Sequence, residues 1–256
     1  MIYKVKENLR IGLFGSGEGT GIEALLKKVK SGDINAQVAI IVSNNTNGSI
    51  ENKVTDLGFG ELFHLSTDFP DGDPHSDDLI TTLEFIRFYD DIIKENKLDY
   101  IFLSGWLKYV IGTSERTTVN IHPGPTKPPY GGIGMYGDKL HQKIWEDYTT
   151  GKINQTCVTM HYVTEKVDDG PIIVQVPVSL AGCLSPQDVK TKVNAVEHDV
   201  QWKVTQLIVT GKIVWDGKDT RNVILLDSQS VDELDFPVGT VFAGEVDLKD
   251  DLPYNK

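Results

Sequence analysis

Apolar runs suited to β-strands alternate with helical patterns through the first half of the chain, and this alternation restricts the fold more than any other feature. Runs rich in Val and Ile occupy residues 9–15, 37–43, 61–65, 100–104, 118–122, 156–163 and 172–178, most of them bounded by Gly, Asn or Pro. Between them, residues 76–97 place Leu79, Leu83, Ile86 and Ile93 at steps of four, three and seven, which is one face of a helix. Residues 185–210 repeat the pattern with Val189, Val193, Val196, Val200, Val204 and Leu207. Strand–helix alternation predicts an α/β fold: a Rossmann-like, mostly parallel sheet with helices on both faces. After Gly211 the character changes to short β-like runs at 222–226 and 238–243, separated by acidic turns. Residues 216–256 therefore read as a β-rich C-terminal extension packed on a main domain of residues 1–215, being too apolar for a linker.

Charge narrows the partners. The 256 residues carry 37 acidic and 25 basic side chains, a formal net charge of −12, which argues against a general nucleic-acid or anionic-membrane binder. A locally positive pocket for a small anion is still compatible with that surface. The start MIYKVKENLR has no apolar run, so no secretory leader is expected, and no stretch approaches membrane-spanning length. With Cys157 and Cys183 as the only cysteines, a disulfide framework is not expected and a cytoplasmic location fits. Either a monomer or a homodimer is compatible with the sequence.

The first run enters Gly15-Ser16-Gly17-Glu18-Gly19-Thr20-Gly21, and a helix begins directly after it. Glycines at such a turn let backbone N–H groups approach an anion, and the helix dipole adds to the attraction. A dinucleotide fingerprint would need Gly where Thr20 stands, and a Walker A loop would need a Lys-Ser/Thr pair. A small-anion site, such as one for a phosphate monoester, and an ordinary tight turn both fit what remains.

The stretch VNIHPGPTKPPYGG, beginning at Val119, raises a different chemistry. Side chains two apart on a strand share a face, so Asn120 and His122 project together. Pro123 cannot donate a ladder hydrogen bond, so the strand stops where a parallel sheet binds its ligands. The pair offers an amide donor beside an imidazole that exchanges protons near neutrality. The bland alternative is that Asn120 caps a turn and His122 satisfies a loop carbonyl. Farther on, Asp168-Asp169-Gly170-Pro171 reads as a solvated turn or as a carboxylate that orients His122. His64, His75 and His141 lack ligand spacing, so no metal site is expected. His161 alternates with apolar residues, which suggests a satisfied core role.

Taken in order, the glycine loop, Leu103-Ser104-Gly105-Trp106-Leu107, Asn120-Ile121-His122-Pro123 and Asp168-Asp169-Gly170-Pro171 resemble the phosphoribosylglycinamide formyltransferases, a branch of the folate-dependent formyltransferase superfamily. The likeness runs from about residue 9 to 215. It implies a transfer of a formyl group from 10-formyltetrahydrofolate to the amine of glycinamide ribonucleotide in purine biosynthesis, with only small-molecule partners and no metal. By that resemblance Asn120, His122 and Asp168 are catalytic. Gly19, Thr20 and Gly21 would take the phosphate, and Asn194, Ala195, Val196 and Glu197 the rest of the ribotide. Leu107, Lys108, Tyr109 and Val110, with Thr164, Glu165, Lys166 and Val167, would hold the formyl-folate. The sequence departs from the family at Gly21, commonly Asn, at Gly124-Pro125-Thr126-Lys127, commonly Ser-Leu-Leu-Pro, and at Asp169, usually Gly, which could compete with Asp168. Rival readings are a nucleotide-sugar amine formyltransferase, a formyl-folate hydrolase, or a silent folate or nucleotide binder.

Overall fold

A computed structural model describes residues 8–75, 78–113, 117–215, 223–225 and 228–243. The first half alternates as β1 (Arg10–Gly15), α1 (Thr20–Ser31), β2 (Gln37–Ser43), α2 (Ser49–Asp56), β3 (Phe63–Leu65), α3 (Leu79–Asn96), β4 (Tyr100–Leu103) and β5 (Thr118–His122). The second half adds α4 (Gly137–Thr149), β6 (Gln155–Tyr162), β7 (Ile172–Ser179) and the long α5 (Pro186–Val209). Short pieces follow: β8 (Ile213–Trp215), β9 (Val223–Leu225), α6 (Ser228–Glu233) and β10 (Val241–Phe242). The expected run at 61–65 splits into a 3-10 turn at Gly60–Leu62 and the three-residue β3.

The main sheet runs β10-β7-β6-β5-β4-β1-β2-β3. Its half from β5 to β3 pairs parallel, as strand–helix alternation requires. Its other half, β5 with β6, β6 with β7 and β7 with β10, is antiparallel. The α/β expectation holds, and the reversal after β5 is what the sequence pattern did not report. β9 pairs with β8 in a separate two-stranded sheet, while β10 extends the edge of the main sheet. Asn222 and Leu226, the ends of one expected tail run, lie outside the described residues.

Strand side chains divide between two layers. Ile11, Leu13, Ile41, Phe102, Val119 and Ile121 face a core covered by α1, α2, α4 and α5. Phe14, Ile40, Val42, Ile101 and Leu103 face the other side, under Tyr89 and Ile92 of α3. Ser185 caps α5 by accepting from the Asp188 N–H, and Pro186 stands in its first turn, where the missing N–H does no harm. Val189, Val193, Val200, Val204 and Leu207 are buried as their spacing predicts, each worth about 1.5–3 kcal/mol. Helix α3 corrects the reading of residues 76–97. Leu79 and Leu83 are exposed, Ile86 and Ile93 are half-buried, and Phe85, Tyr89 and Ile92 form the buried face. The aromatic side chains decide that rotation, because they bury more area and meet Phe69 and Phe14.

Candidate active site

Connections diverge on either side of β1, which lies between β4 and β2, and this is where an open α/β sheet forms a crevice at its carboxyl ends. A cavity of about 610 Å³ occupies that position. The loop after β1 forms one end, residues 103–110 after β4 form a long wall, and Asn120 and His122 at the end of β5 stand opposite residues 163–168.

Four polar side chains meet at the Asn120 end. His122 Nδ1 lies 3.7 Å from Asp168 Oδ2, and His161 Nε2 lies 3.6 Å from Asp168 Oδ1. Asn120 Nδ2 is 3.2 Å from His161 Nε2, across the β5–β6 pair in which the two residues are partners. His161 Nδ1 is 2.8 Å from the Tyr162 carbonyl oxygen, which can only accept. The Tyr162 carbonyl therefore keeps a proton on His161 Nδ1; in the neutral ring Nε2 accepts from Asn120, and in the protonated ring it faces the Asp168 carboxylate. The contact with His161 orients the Asn120 amide, leaving its second N–H to point elsewhere. His161 is buried as the sequence suggested, yet it also lines the cavity, so its purely core assignment is corrected.

Asp168 sits in the left-handed region at φ 55, a conformation that Asp tolerates better than most residues. The turn after it has no room for a side chain: a Cβ on Gly170 would stand 1.8 Å from the Tyr162 carbonyl oxygen. Burial alone would raise the Asp168 carboxyl, but the His161 contact, the field of His122 and the Gly132 N–H outweigh it and hold the group below the usual carboxylate range. Asp169 instead pairs with Lys127 at 2.9 Å and is about half exposed, so it does not compete for the histidines.

The segment after β5 wraps over this corner. His122 Nε2 is 3.0 Å from the Tyr130 carbonyl oxygen, so the loop-carbonyl alternative is also met. Gly132 N donates to Asp168 Oδ2 at 2.8 Å, and the Tyr130 hydroxyl donates to Asp147 Oδ2 at 2.9 Å. Thr159 Oγ1 donates to the Gly124 carbonyl from β6.

At the other end, Gly19 begins α1 without a side-chain cap, so the first backbone N–H groups of the helix face the cavity mouth. Gly21 is required by its neighbours, since a Cβ there would meet Ser104 Oγ at 2.1 Å. Ser104 in turn donates to Gln201 Oε1, whose amide donates to the Leu103 carbonyl. Thr20 Oγ1 lies 3.2 Å from His198 Nε2. On α5, Asn194, Glu197, His198 and Gln201 share the face that lines the cavity. Ala195 and Val196 do not line the cavity: Ala195 is exposed and Val196 packs on the core. Burial raises the Glu197 carboxyl to about 8.

The predicted residues Leu107, Lys108, Tyr109 and Val110 line the cavity after β4, and Thr164, Glu165, Lys166 and Val167 line it as well. His141 was set aside by its lack of ligand spacing, yet it lines the cavity with a buried Nδ1 that has no partner. Burial, then Lys190, lowers its pKa to about 4, so it is neutral. Among the described residues no cluster of three or more His, Cys, Asp or Glu is arranged to hold a metal, and no helix is long and apolar enough to cross a membrane.

The chain is similar to known proteins in sequence and in fold. The family model described as formyl transferase matches residues 9–205. A chloroplastic phosphoribosylglycinamide formyltransferase of Arabidopsis thaliana is 24% identical over 210 residues, covering 80% of this chain and 67% of the relative. The Vigna unguiculata protein of the same name is 26% identical over 211 residues, covering 80% of this chain and 62% of the relative, so the chain spans under two thirds of that protein. The crystal structure of glycinamide ribonucleotide transformylase 1 from Symbiobacterium toebii superposes with a TM-score of 0.69 at 23% identity, covering 89% of this chain and 98% of that one. That likeness is one of fold.

Proposed function

Because the chain belongs to the formyl transferase family, we propose that it moves a formyl group from 10-formyltetrahydrofolate to the amine of glycinamide ribonucleotide, a step of purine biosynthesis. One observation carries the reading: Asn120, His122 and Asp168 converge in the same cavity that receives the open start of α1. A ribotide held by its phosphate at Gly19, Thr20 and Gly21, with Asn194 and Glu197 beside it, can extend its amine toward Asn120. The walls at 107–110 and 164–167 are left for the formyl-folate.

The chemistry is a transfer between two nitrogens. The amine lone pair forms a bond to the formyl carbon while the carbonyl π pair moves onto oxygen. Asn120 donates its second N–H to that oxygen, and a donor of this kind is worth about 100- to 1000-fold. His122 accepts the proton lost by the new C–N nitrogen and returns it to the leaving nitrogen as the old C–N bond breaks, a role worth roughly 100- to 10,000-fold. The oxygen pair then restores the carbonyl, giving the N-formyl ribotide and tetrahydrofolate. Asp168 balances the charge on His122 while the ring holds the proton. The phosphate contacts turn remote binding energy into orientation at the reacting carbon.

Following folate absorbance with and without glycinamide ribonucleotide tests the reading. Consumption that requires the ribotide is expected. Consumption independent of it would indicate a hydrolase, and saturable binding of both compounds without turnover would indicate a silent binder.

A further inference from the structure

We propose that the Tyr130 carbonyl fixes the tautomer of His122, so that Nδ1 is the nitrogen exchanging protons with substrate, and that Asp147 holds Tyr130 in place for this task. The inference rests on the reading that His122 acts in formyl transfer. It also gives a role to the segment GPTKPPYGG, which departs from the family pattern.

A carbonyl oxygen has no hydrogen to give, so the 3.0 Å contact between His122 Nε2 and Tyr130 O requires the hydrogen to be on Nε2. The neutral ring then has its lone pair on Nδ1. Any proton the ring gains goes to Nδ1, on the side where Asp168 Oδ2 stands 3.7 Å away. At that distance the carboxylate attracts the charged ring without a direct hydrogen bond to it. Reversing the tautomer would set two lone pairs against each other at Tyr130. The carbonyl therefore selects one proton-carrying geometry before substrate arrives.

This selection works only if the carbonyl does not drift. Residues 127–132 are secured at several points. The Tyr130 and Gly131 N–H groups both donate to the Lys127 carbonyl, closing the turn on itself. On one side the Tyr130 hydroxyl donates to Asp147 Oδ2 at 2.9 Å. Asp147 is only 3% exposed and also receives Lys143 at 2.7 Å and Lys152 at 2.8 Å, so it is a fixed anchor on α4. On the other side Gly132 N donates to Asp168 Oδ2 at 2.8 Å, and Lys127 pairs with Asp169 at 2.9 Å. The strap thus ties two partners of the His122 ring, Tyr130 O and Asp168, to one short piece of chain. Tyr130 is a positioning residue that acts through its main chain, while its side chain only anchors.

Long-range 1H–15N correlation spectra of the full chain labelled with 15N-histidine test the tautomer, with the His122 signals assigned by their loss in His122→Gln. A pyrrole-like shift at Nε2 and a pyridine-like shift at Nδ1 are expected for the neutral ring. Tyr130→Phe, which keeps the ring and removes the anchor, should mix the two tautomers. It should also lower kcat by about 10- to 100-fold, leaving KM for both substrates within about 2-fold. A pyridine-like Nε2 in the unmodified chain overturns the proposal whatever the variant does. A folded Tyr130→Phe with unchanged kcat overturns the anchoring role. If the unmodified chain makes no formylated ribotide, the functional reading fails, and the spectrum still decides the tautomer.

Discussion

Asn120 and His122 sit two residues apart on β5, so removing either side chain takes one polar group away from the same end of the cavity. On the proposed reaction both act on the transition state more than on bound substrate. Asn120→Ala should therefore lower kcat by about 100- to 1000-fold with little change in KM, as read from steady-state kinetics with both substrates varied. A rise in KM with unchanged kcat would mean that Asn120 only binds. The pair was legible in the sequence because strand parity needs no knowledge of neighbours. His161 was not, because its contact with Asn120 arises from the antiparallel pairing of β5 with β6, which no periodicity in either strand reports. The resemblance chose Asp168 and left Asp169 as a competitor, and Lys127 holds that second carboxylate away from the histidines.

Each element carries its own test of how far local pattern reaches. Apart from the run at 61–65, the strands and α5 followed their patterns closely, since continuous Val and Ile suit strands buried on both faces and α5 carries one valine stripe. Helix α3 did not, because its aliphatic and aromatic stripes compete and the aromatic one wins burial. The glycine loop shows a constraint of another kind. Gly21 looked like the loss of a side chain, but Ser104 at the end of β4 and Gln201 of α5 fill the space it would need. Gly21→Ala should destabilise the chain by about 1–3 kcal/mol through this overlap. Ser104→Ala in the same chain should recover most of the loss, a non-additivity measurable by denaturant midpoints. Equal losses in Gly21→Ala with and without Ser104 would place the strain elsewhere.

Taken as a whole molecule, the site leaves a mark on stability. Glu197 has a folded pKa of about 8, raised by burial from the ordinary 4.5. Its contribution is fully present below pH 4.5 and is lost as pH rises toward 8. His141 runs the other way: its folded value of about 4 lies below the ordinary 6.5, so its contribution is present above pH 6.5 and is lost as pH falls toward 4. Asp168, held low by the histidines and Gly132, adds to the acid side, losing its contribution below the ordinary carboxylate range. Thermal unfolding should then weaken on both sides, and Glu197→Gln should flatten the decline between pH 5 and about 8 while leaving the acid side intact. A variant curve parallel to that of the unmodified chain would mean Glu197 is ionised in the fold. The claim that joins these features is that one cavity passes a formyl group to a ribotide amine. Mass analysis of the ribotide after incubation with 10-formyltetrahydrofolate tests it most directly: the unmodified chain should add one formyl group at the amine and His122→Ala should scarcely do so, whereas free formate with an unchanged ribotide would contradict the account.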